Sequence, residues 1–472
     1  MKSNRRNFLK LSGLAGIGLA GADIMQSKAA ILADPETNHS LTKQDGNHFN
    51  MSGFAAPKLE TVRIGFIGLG NRGPGAVERM SKIEGVEIKA LCDIRPEKAN
   101  AAKKLLENTT HRPEIYTGNE DEWKKVCERK DLDLIYIATP WKLHAPMAVY
   151  AMENGKHAAS EVPAAVTLEE CWQLVKTSEK TRKHCMILEN CCYDFFELLT
   201  LNMARQGYFG EIVHAEGGYI HDLLDSNFSK VKYYDMWRLK ENFRNGSLYP
   251  THGFGPIAQV LNINRGDRMD YLTSMSSNDF MMSNTAKELA AKDSFFKPYE
   301  NKSYRGNMNT TTIRTMNGKT MMIQHDVTSP RPYSRIHLVS GTKGTAQKYP
   351  EPARISNNHE DWLSESDFKV LEEKYSPPIV KRVGEMAKQI GGHGGMDFLM
   401  DWRLIDCLRN GLPLDIDVYD AAAWSAVAPL SEKSVANRSN SVDVPDFTFG
   451  SWKTNQPVDV LLQKGGNTKV KI

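Results

Sequence analysis

The segment Val62–Gly75, with the sequence VRIGFIGLGNRGPG, decides the fold of this chain. It begins with a short apolar run rich in β-branched residues, which is typical of a strand buried in a parallel sheet. Three glycines follow at the G-x-G-x-x-G spacing. Gly68 permits the tight turn after the strand, Gly70 lets the backbone approach a pyrophosphate, and Gly73 lets the next helix pack closely. The segment therefore predicts a strand, a turn and a helix whose N-terminus faces the phosphates of a dinucleotide.

A second predicted strand, Val86–Cys92, ends at Asp93. An acidic residue about 20 positions after the glycines is where a partner for a ribose hydroxyl is expected. Its charge would repel a 2′-phosphate, which favours NAD over NADP. Arg72 and Arg95 lie nearby in the sequence, so NADP stays an alternative. An ordinary glycine-rich turn is the other interpretation of the segment, and the acidic residue argues against it.

The composition is that of a globular protein. The chain has 472 residues, of which 40% are hydrophobic and 25% charged, enough for two or three domains. A net charge of +3 gives no indication of a nucleic-acid partner. The seven cysteines contain no C-x-x-C pair, and no two histidines show ligand spacing. We therefore expect neither a disulfide framework nor a metal.

The N-terminus carries an export signal rather than part of the fold. Asn4–Lys10, NRRNFLK, is a twin-arginine motif, and the weakly apolar run after it is too short for a membrane span. We assign residues 1–33 to a signal peptide and 34–59 to a polar linker or arm. The twin-arginine route exports folded proteins, which suits an enzyme that acquires its cofactor in the cytoplasm and works in the periplasm.

Residues 60–190 alternate between predicted strands and helices, as a doubly wound parallel sheet does. Ligands gather at the carboxyl ends of the strands in such sheets. These ends fall at Gly68–Arg72, Asp93, Thr139–His144, Glu161–Val162 and Asn190.

Residues 191–450 have a different pattern, with alternating, half-exposed runs that predict an open antiparallel sheet flanked by helices. The predicted strands are Ile212–Tyr219, Tyr271–Ser277, Thr310–Met316, Thr320–His325 and Ser334–Ser340. Two predicted helices, Met396–Asn410 and Val418–Ala436, close the domain. Residues 451–472 form a polar tail. The fold class is thus a Rossmann domain followed by an antiparallel-sheet domain.

The order of these parts resembles the Gfo/Idh/MocA oxidoreductases over roughly residues 60–450. Within them the chain is most similar to the NAD-dependent α-N-acetylgalactosaminidases, glycoside hydrolase family 109. The segments that carry this resemblance are GLGNRGPGAV, CDIRPEKA, ATPWKLHAPMAVYAMENGKHAASEVPAA, ENCCYDFFELLTLNMARQGYFGEI, GSLYPTHGFGPIAQ and GGHGGMDFLMDWRLIDCLRNG.

The resemblance implies a set of site residues at the matching positions. The residues that would bind NAD are Gly68, Gly70, Asn71, Arg72, Gly73, Asp93, Trp141, Lys142, Leu143, His144, Glu161, Val162 and Asn190. The residues that would bind the sugar are Tyr219, Arg238, Tyr249, Pro250, Thr251, His252 and Tyr333. Asn71 and Arg72 would touch the pyrophosphate, and Trp141 to His144 would line the nicotinamide end.

One position departs from the wider superfamily, whose dehydrogenases usually carry Glu-Lys-Pro with a lysine that assists proton removal. This chain has Glu161-Val162-Pro163. Valine cannot transfer a proton, so the usual dehydrogenase mechanism lacks its lysine. The galactosaminidase branch shares the valine, which favours that branch and leaves the acid and base open.

The resemblance implies a retaining glycosidase that oxidises the sugar at C3, eliminates the C1 substituent, adds water and reduces C3 again. The NAD would be tightly bound and recycled in each turnover. His252 is the candidate base for the C3 hydroxyl, because histidine titrates near neutral pH. Tyr219 is a candidate for the C2 base or for sugar contact, with Arg238 as the cation that would lower its pKa. Tyr333 and Tyr193 are rivals for these tasks.

Two alternatives remain from the sequence. One is an exported NAD(P)-dependent sugar oxidoreductase of the same fold, and the other is a non-catalytic protein that binds a sugar or dinucleotide. The expected partner is a glycan with a terminal α-linked N-acetylgalactosamine. The open face of the second sheet makes a homodimer or a larger homo-oligomer an expectation. His393, in a glycine-rich turn, is one more candidate for the site.

Overall fold

The computed structural model describes residues 48–471. The predicted signal peptide and the arm up to residue 47 lie outside this range, and so does Ile472.

The first part of the described chain alternates between strands and helices. Its elements are β1 (Val62–Ile67), α1 (Gly73–Ser81), β2 (Val86–Cys92), α2 (Pro96–Lys104), β3 (Glu114–Tyr116), α3 (Glu122–Glu128), β4 (Leu134–Ile137), α4 (His144–Glu153), β5 (His157–Ser160), α5 (Leu168–Thr181) and β6 (Cys185–Ile187). In the part of the chain that is described, the strands form a six-stranded sheet in the order β3-β2-β1-β4-β5-β6. Every pair in it is parallel. The predicted doubly wound sheet is confirmed.

The second part is longer and less regular. Its elements are α6 (Phe195–Arg205), β7 (Ile212–Ile220), α7 (Leu224–Asn227), α8 (Trp237–Glu241), α9 (Thr251–Val260), β8 (Met269–Ser276), α10 (Met282–Lys292), β9 (Asn309–Thr315), β10 (Thr320–Asp326), β11 (Leu338–Gly341), β12 (Thr345–Gln347), β13 (Arg354–Ser356), α11 (Glu365–Tyr375), α12 (Pro378–Ile390), α13 (Met396–Asn410), α14 (Val418–Ala436) and β14 (Val442–Asp443). Short 3₁₀ helices occur at Trp141–Leu143, Asn190–Tyr193, Tyr234–Met236, Ser294–Tyr299, His393–Gly395 and Ser451–Lys453.

The second sheet is mixed, which corrects the expectation of a wholly antiparallel one. Over residues 48–471 its strands follow the order β13-β12-β11-β7-β10-β9-β8-β14. β7 and β10 pair in parallel, and the other neighbours are antiparallel. The predicted strand Ser334–Ser340 is also shorter, because Ile336 and His337 adopt left-handed backbone angles that interrupt an extended run.

Local signals in the sequence explain where the closing helices begin and end. α14 starts with a capping box in which Asp417 and Asp420 satisfy the first backbone N–H groups. α13 ends at Gly411, which has a positive φ of 62°. The two helices predicted from the sequence, Met396–Asn410 and Val418–Ala436, are confirmed to the residue.

Both ends of the described chain are tied to this body. In the arm, Met51 is buried, and its N–H donates to the Tyr419 hydroxyl at 2.9 Å. In the tail, Val470 bridges to Ile83, beside the end of α1. Within residues 48–471, no helix combines the length and the apolarity that crossing a membrane requires.

Candidate active site

A cleft of about 640 Å³, here called the cofactor cleft, opens at the carboxyl ends of β1, β2, β4 and β5. Most of the residues predicted to bind NAD line it: Gly68, Gly70, Asn71, Arg72, Asp93, Trp141, Lys142, Leu143, His144, Glu161 and Val162. Parallel strands bring these distant segments to one edge, as the topology requires.

The glycine-rich turn has the shape that a dinucleotide needs. Gly68 has a φ of +92°, and a Cβ there would lie 2.5 Å from the Ala138 carbonyl oxygen. A Cβ on Gly73 would lie 2.1 Å from the Gly68 carbonyl oxygen. Both glycines are therefore required by backbone packing. At Gly70, which lines the cleft, a Cβ would meet only the end of the Arg95 side chain, at 3.3 Å. The cradle fits a pyrophosphate at that position.

Asp93 lies at the end of β2, where a ribose would be held. Its Oδ2 accepts the Leu69 N–H at 2.7 Å, and its Oδ1 accepts the N–H of Arg95 at 2.9 Å. The Arg95 guanidinium also pairs with Oδ1, at 3.1 Å. Neighbouring donors thus fix the orientation of the carboxylate, which fits a ribose contact at this position.

Arg72 takes part in a charged network rather than pointing freely at the phosphates. Its Nε donates to Glu161 Oε1 at 2.9 Å, and its Nη1 donates to Asp397 Oδ2 at 3.2 Å. His393 Nδ1 lies 2.9 Å from Asp397 Oδ2. Asn190, which does not line the cleft, donates to Asp397 Oδ1 at 2.5 Å. Although burial opposes ionisation, His393 and Arg72 hold the pKa of Asp397 well below its ordinary range.

His144 is built into the wall of the cofactor cleft. Its Nδ1 lies 2.7 Å from the Pro163 carbonyl oxygen, and its Nε2 lies 2.7 Å from that of Thr139. Burial lowers its pKa. With both ring nitrogens held by backbone, His144 shapes the wall and has no free nitrogen for proton transfer to a ligand.

Residues 231–237, here called the covering loop, extend from the second domain across the cofactor cleft. Asn71 Nδ2 donates to the Lys232 carbonyl oxygen at 3.0 Å, and the Arg95 guanidinium lies 5.3 Å from the centre of the Tyr234 ring. Asp235 and Met236 have left-handed φ values of 51° and 49°, which turn the chain sharply. The loop therefore contacts the glycine-rich turn itself and the segment that follows β2.

Five of the residues predicted to bind sugar form a second group, here called the aromatic cluster: Tyr219, Arg238, Tyr249, His252 and Tyr333. Close backbone packing brings two of its segments together. A Cβ on Gly217, in β7, would lie 2.2 Å from the Gly253 carbonyl oxygen in α9. This contact holds the start of α9, with His252, against the strand that carries Tyr219. The rings of Tyr219 and His252 are 5.4 Å apart.

Arg238 joins the aromatic cluster to the cofactor cleft. Its guanidinium lies 5.3 Å from the Trp141 ring and 5.2 Å from the Tyr249 ring, within the range of cation–π attraction. Trp141 and Tyr249 stack with ring centres 5.2 Å apart. The two sites therefore share a wall. Pro250 and Thr251 begin α9, and Thr251 is fully buried, so its side chain is not open to a ligand.

His252 is hydrogen-bonded on both ring nitrogens. Its Nδ1 lies 2.7 Å from Glu189 Oε1, and its Nε2 lies 3.3 Å from the Tyr249 hydroxyl. Although burial opposes ionisation, the charge of His252 and this hydrogen bond lower the pKa of Glu189. Burial and the neighbouring Tyr219 raise the pKa of Tyr249 well above its ordinary value.

Tyr219 has a histidine partner of its own. Its hydroxyl lies 3.0 Å from His221 Nδ1. Burial raises the pKa of Tyr219 and outweighs Arg238, which acts in the opposite direction. This corrects the expectation that Arg238 would make Tyr219 acidic. Burial and Arg238 lower the pKa of His221. A protonated phenol thus faces a neutral imidazole.

Tyr333 lies at the rim of the aromatic cluster. Its side chain is 39% exposed, and its ring centre is 6.3 Å from that of Tyr219. Burial of the hydroxyl raises its pKa, against the opposing effect of Arg335, whose Nη1 donates to the hydroxyl at 3.4 Å. Tyr193 lies elsewhere, buried with its hydroxyl 3.4 Å from Asp415 Oδ2.

One group of described residues has side-chain atoms close enough to hold a metal: Glu189, Cys191 and His252, within 4.8 Å of one another. The Glu189 Oε1 and His252 Nδ1 atoms are 2.7 Å apart. A tetrahedral zinc ion about 2.0 Å from each would hold them about 3.3 Å apart. Their spacing is that of a hydrogen-bonded pair, not of a ligand set.

Three partners at the site were not predicted from the sequence: Glu189, His221 and Asp397. Glu189 immediately precedes Asn190 at the end of β6, so the strand-end rule pointed to its neighbourhood. His221 follows Tyr219 by two residues, on the same face of an extended segment. Asp397 follows His393 by four residues and begins α13. Glu189 and Asp397 have partners far away in the chain, at His252 and Arg72, whereas His221 lies two residues from Tyr219 and could have been found from the alternation of the strand.

Models of two families match the chain. Residues 193–454 match glycosyl hydrolase 109, C-terminal domain, and residues 62–189 match the oxidoreductase family with an NAD-binding Rossmann fold. A Bacteroides thetaiotaomicron protein named glycosyl hydrolase family 109 protein 1 is 53% identical over 422 residues, covering 85% of this chain and 87% of that protein. A Bacteroides fragilis protein named alpha-N-acetylgalactosaminidase is 53% identical over 410 residues, covering 85% of this chain and 95% of that protein.

Solved structures share the architecture. An oxidoreductase domain protein from Kribbella flavida has a TM-score of 0.62 at 16% identity, covering 82% of this chain and 100% of that chain. Levoglucosan dehydrogenase in complex with NADH has a TM-score of 0.59 at 18% identity, with the same coverage. At such identities the likeness shows the fold alone.

Proposed function

The chain belongs to glycosyl hydrolase family 109, and from this membership and the geometry above we propose that it is a retaining α-N-acetylgalactosaminidase that works with a bound NAD. The observation that carries the proposal is the shared wall at Trp141, which places the aromatic cluster beside the cofactor cleft. A sugar in contact with Arg238 and His252 would therefore lie next to the nicotinamide end of the cleft.

The cofactor cleft holds the NAD by its glycine-rich turn, Asp93 and the wall formed by Trp141 to His144. When bound, NAD⁺ supplies a site that accepts hydride from C3 of the sugar and later returns it. Val162, which is buried in the wall, has no group that transfers a proton. The protons must therefore move through the aromatic cluster.

His252 takes the proton of the C3 hydroxyl. Its Nε2 faces the cluster, whereas its Nδ1 is held by Glu189. A base must lie within hydrogen-bond reach of its proton, and Nε2 is the nitrogen that a sugar can approach. Loss of this proton assists departure of the C3 hydride, and the ketone at C3 then acidifies the proton at C2.

Tyr219 and His221 together accept the C2 proton. As Tyr219 receives it, the phenol proton passes to the Nδ1 atom of His221, which lies 3.0 Å away and is neutral. Arg238 stabilises the charge that develops on the phenol oxygen. Tyr333, exposed at the rim, donates a proton to the leaving oxygen at C1. Water then adds at C1 from the same side and gives a proton to the Tyr333 oxygen, while His221 returns its proton through Tyr219 to C2, so that the anomeric configuration is retained and both groups are restored.

The covering loop keeps the NAD in place between turnovers. It is anchored to the Rossmann domain at Asn71, in the glycine-rich turn, and at Arg95, after β2. Release of the dinucleotide requires breaking these contacts. Tight binding suits the proposed location, because we infer from Asn4–Lys10 that the protein is exported through the twin-arginine route to the periplasm. We also propose that it forms a homo-oligomer through the open face of the second sheet.

The test is release of p-nitrophenol from the α-N-acetylgalactosaminide by purified protein, without added cofactor. A substrate deuterated at C2 is compared with the ordinary one, and exchange at C2 is followed in heavy water. We expect release, with a deuterium effect or with exchange.

Absence of release, together with stoichiometric formation of NADH from free sugars and added NAD⁺, would contradict the glycosidase and leave the exported sugar oxidoreductase. Binding of NAD and sugar with neither reaction would leave the non-catalytic binding protein.

A further inference from the structure

We propose that Glu189 is the positioning residue of His252: it fixes the proton on Nδ1, so that Nε2, whose partner is the long 3.3 Å contact with the Tyr249 hydroxyl, is the nitrogen that accepts the proton of the sugar. This inference rests on the proposed function, because it assigns a partner to the base in that reaction. Glu189 comes from the end of β6 in the Rossmann domain, whereas His252 begins α9 in the second domain. The pair therefore connects the two domains at the reacting centre.

The contact is short and protected from solvent. Glu189 Oε1 lies 2.7 Å from His252 Nδ1, and Glu189 is 0% exposed. The same oxygen accepts the Cys191 N–H at 3.1 Å. Its other oxygen, Oε2, is also buried, and the neighbouring Thr251 hydroxyl adds to the lowering of the Glu189 pKa. A buried carboxylate in this state is costly unless a nearby charge or donor compensates it, and His252 provides that compensation.

The protonation states around His252 agree with one another. Glu189 stays ionised, since its pKa is lowered, and an ionised carboxylate only accepts hydrogen bonds. Nδ1 must therefore carry a proton. Tyr249 keeps its proton, since its pKa is raised, so its hydroxyl donates to Nε2. In the neutral form of the ring, the lone pair is therefore on Nε2, toward the aromatic cluster.

Close packing fixes this arrangement. A Cβ on Gly255, one turn after His252 in α9, would lie 2.9 Å from Glu189 Cγ and 3.0 Å from Cys192 Sγ. Helix α9 can therefore approach the end of β6 only because residue 255 is a glycine. Together with the Gly217–Gly253 contact, this packing holds α9 between β7 and the segment 189–192 that follows β6.

The proton balance follows directly. The C3 O–H bond would break as an Nε2–H bond forms, and the electron pair of the C3–H bond would leave as hydride, which a bound NAD⁺ would accept. The imidazole becomes a cation beside the Glu189 carboxylate, which stabilises it. When hydride returns to C3, the Nε2 proton returns to its oxygen. Glu189 itself gains no proton.

The experiment uses the full-length holoprotein and the variants Glu189→Gln and Glu189→Ala. Glu189→Gln keeps an oxygen that can accept from Cys191 and Nδ1, but it removes the charge. Glu189→Ala removes both the charge and the accepting oxygen. The control is Glu179→Gln, because Glu179 is a buried carboxylate on α5 that accepts a hydrogen bond from the Tyr419 hydroxyl at 2.9 Å. Two experiments are made on each protein. Steady-state kinetics on the p-nitrophenyl substrate gives kcat and KM, and NMR of ¹⁵N-histidine-labelled protein gives the histidine tautomers. The variant His252→Gln identifies the resonances of His252.

We expect kcat to fall by about 10²-fold in Glu189→Gln and by about 10³-fold in Glu189→Ala, with KM within about threefold of the original value. The Nδ1–H tautomer of His252 should dominate in the original protein and be lost in Glu189→Ala. Glu179→Gln should change neither kcat nor the tautomer of His252.

Three results would overturn the inference: an Nε2–H tautomer in the original protein, an unchanged tautomer in Glu189→Ala, or an equal loss of kcat in Glu179→Gln. If the protein released no p-nitrophenol at all, the proposed function would fail. The ¹⁵N spectra would still decide whether Glu189 sets the tautomer.

Discussion

The cofactor cleft and the aromatic cluster hold charge in opposite ways. In the cofactor cleft, carboxylates pair with arginines: Asp93 with Arg95, and Glu161 with Arg72. In the aromatic cluster, the cation Arg238 lies over aromatic rings, and the phenols around it keep their protons because burial raises their pKa. The first region has fixed, compensated charges suited to recognition. The second has groups whose protons can move.

Glu189 is the exception that connects the two regions. It belongs to a strand end of the Rossmann sheet, like the acidic residues of the cofactor cleft, but its partner is a histidine of the aromatic cluster. We therefore expect substitutions in the cofactor cleft to lower NAD binding or the stability of the fold. Substitutions in the aromatic cluster should lower kcat and leave both of these properties unchanged.

The largest effect should come from the glycine-rich turn. In Gly68→Ala, the new Cβ would meet the backbone of Ala138 at 2.5 Å, in a left-handed conformation. We expect loss of roughly 4 kcal/mol or more of stability, together with loss of NAD. Gly70→Ala is the matched variant, because its Cβ would touch only the Arg95 side chain. It should fold and still bind NAD weakly. Thermal unfolding and the nucleotide released on denaturation measure both properties, and a Gly68→Ala protein that kept its Tm and its NAD would contradict this account.

The second effect should separate the two regions. His252→Ala should lose about 10³-fold in kcat while retaining NAD, because the proposed base is removed from the aromatic cluster and the cofactor cleft is left intact. The control is His214→Ala, whose ring lies on β7 beside the Thr320 hydroxyl at 2.8 Å and takes no part in the site. Activity assays and nucleotide content measure the outcome. Equal losses of NAD and activity in His252→Ala would show that the two regions cannot be separated.

A smaller difference is expected within the aromatic cluster. Tyr219→Phe should lower kcat by about 10- to 100-fold, because the buried phenol pairs with His221 and faces Arg238. Tyr333→Phe should lower it by less than about tenfold, since its rim position lets water replace the hydroxyl. The comparison uses substrates whose leaving groups differ in acidity. If Tyr333 donates the proton, its variant should lose most on the poorest leaving group, and an equal loss on all substrates would remove that role.

The smallest effect concerns a carboxylate beneath the cofactor cleft. Burial raises the pKa of Asp401 to about 6, against the attraction of Arg79. The folded protein therefore holds this proton to a higher pH than the unfolded chain does. The contribution of Asp401 to the free energy of unfolding is most favourable below about pH 4 and falls as pH rises through about 6.

The total change from Asp401 is at most about 3 kcal/mol, because one pKa unit corresponds to about 1.4 kcal/mol. Asp401→Asn cannot ionise and should show a smaller loss of stability between about pH 4 and pH 7. Urea unfolding at both pH values measures it, and an identical loss in the variant would remove Asp401 as the cause. Activity at a fixed pH should change little.

The sequence predicted the cofactor cleft more completely than the aromatic cluster, for a physical reason. Its turn, Gly68 to Gly73, is a local structure, and the strand-end rule brought Asp93, Trp141 and Glu161 to the same edge from topology alone. The sugar-side residues were named by resemblance to a family, and their distances from one another were not accessible from spacing.

Thus the sequence by itself determined the Rossmann fold, its glycine-rich turn and the limits of the two helices that close the second domain. Periodicity, capping and turn chemistry act over a few residues, so they can be recognised in the sequence. Only the tertiary structure decided that β7 and β10 pair in parallel, that burial outweighs Arg238 at Tyr219, and that Glu189 meets His252. These outcomes depend on burial and on packing between distant segments, such as the contact of Gly217 with Gly253, and no local pattern in the sequence encodes them.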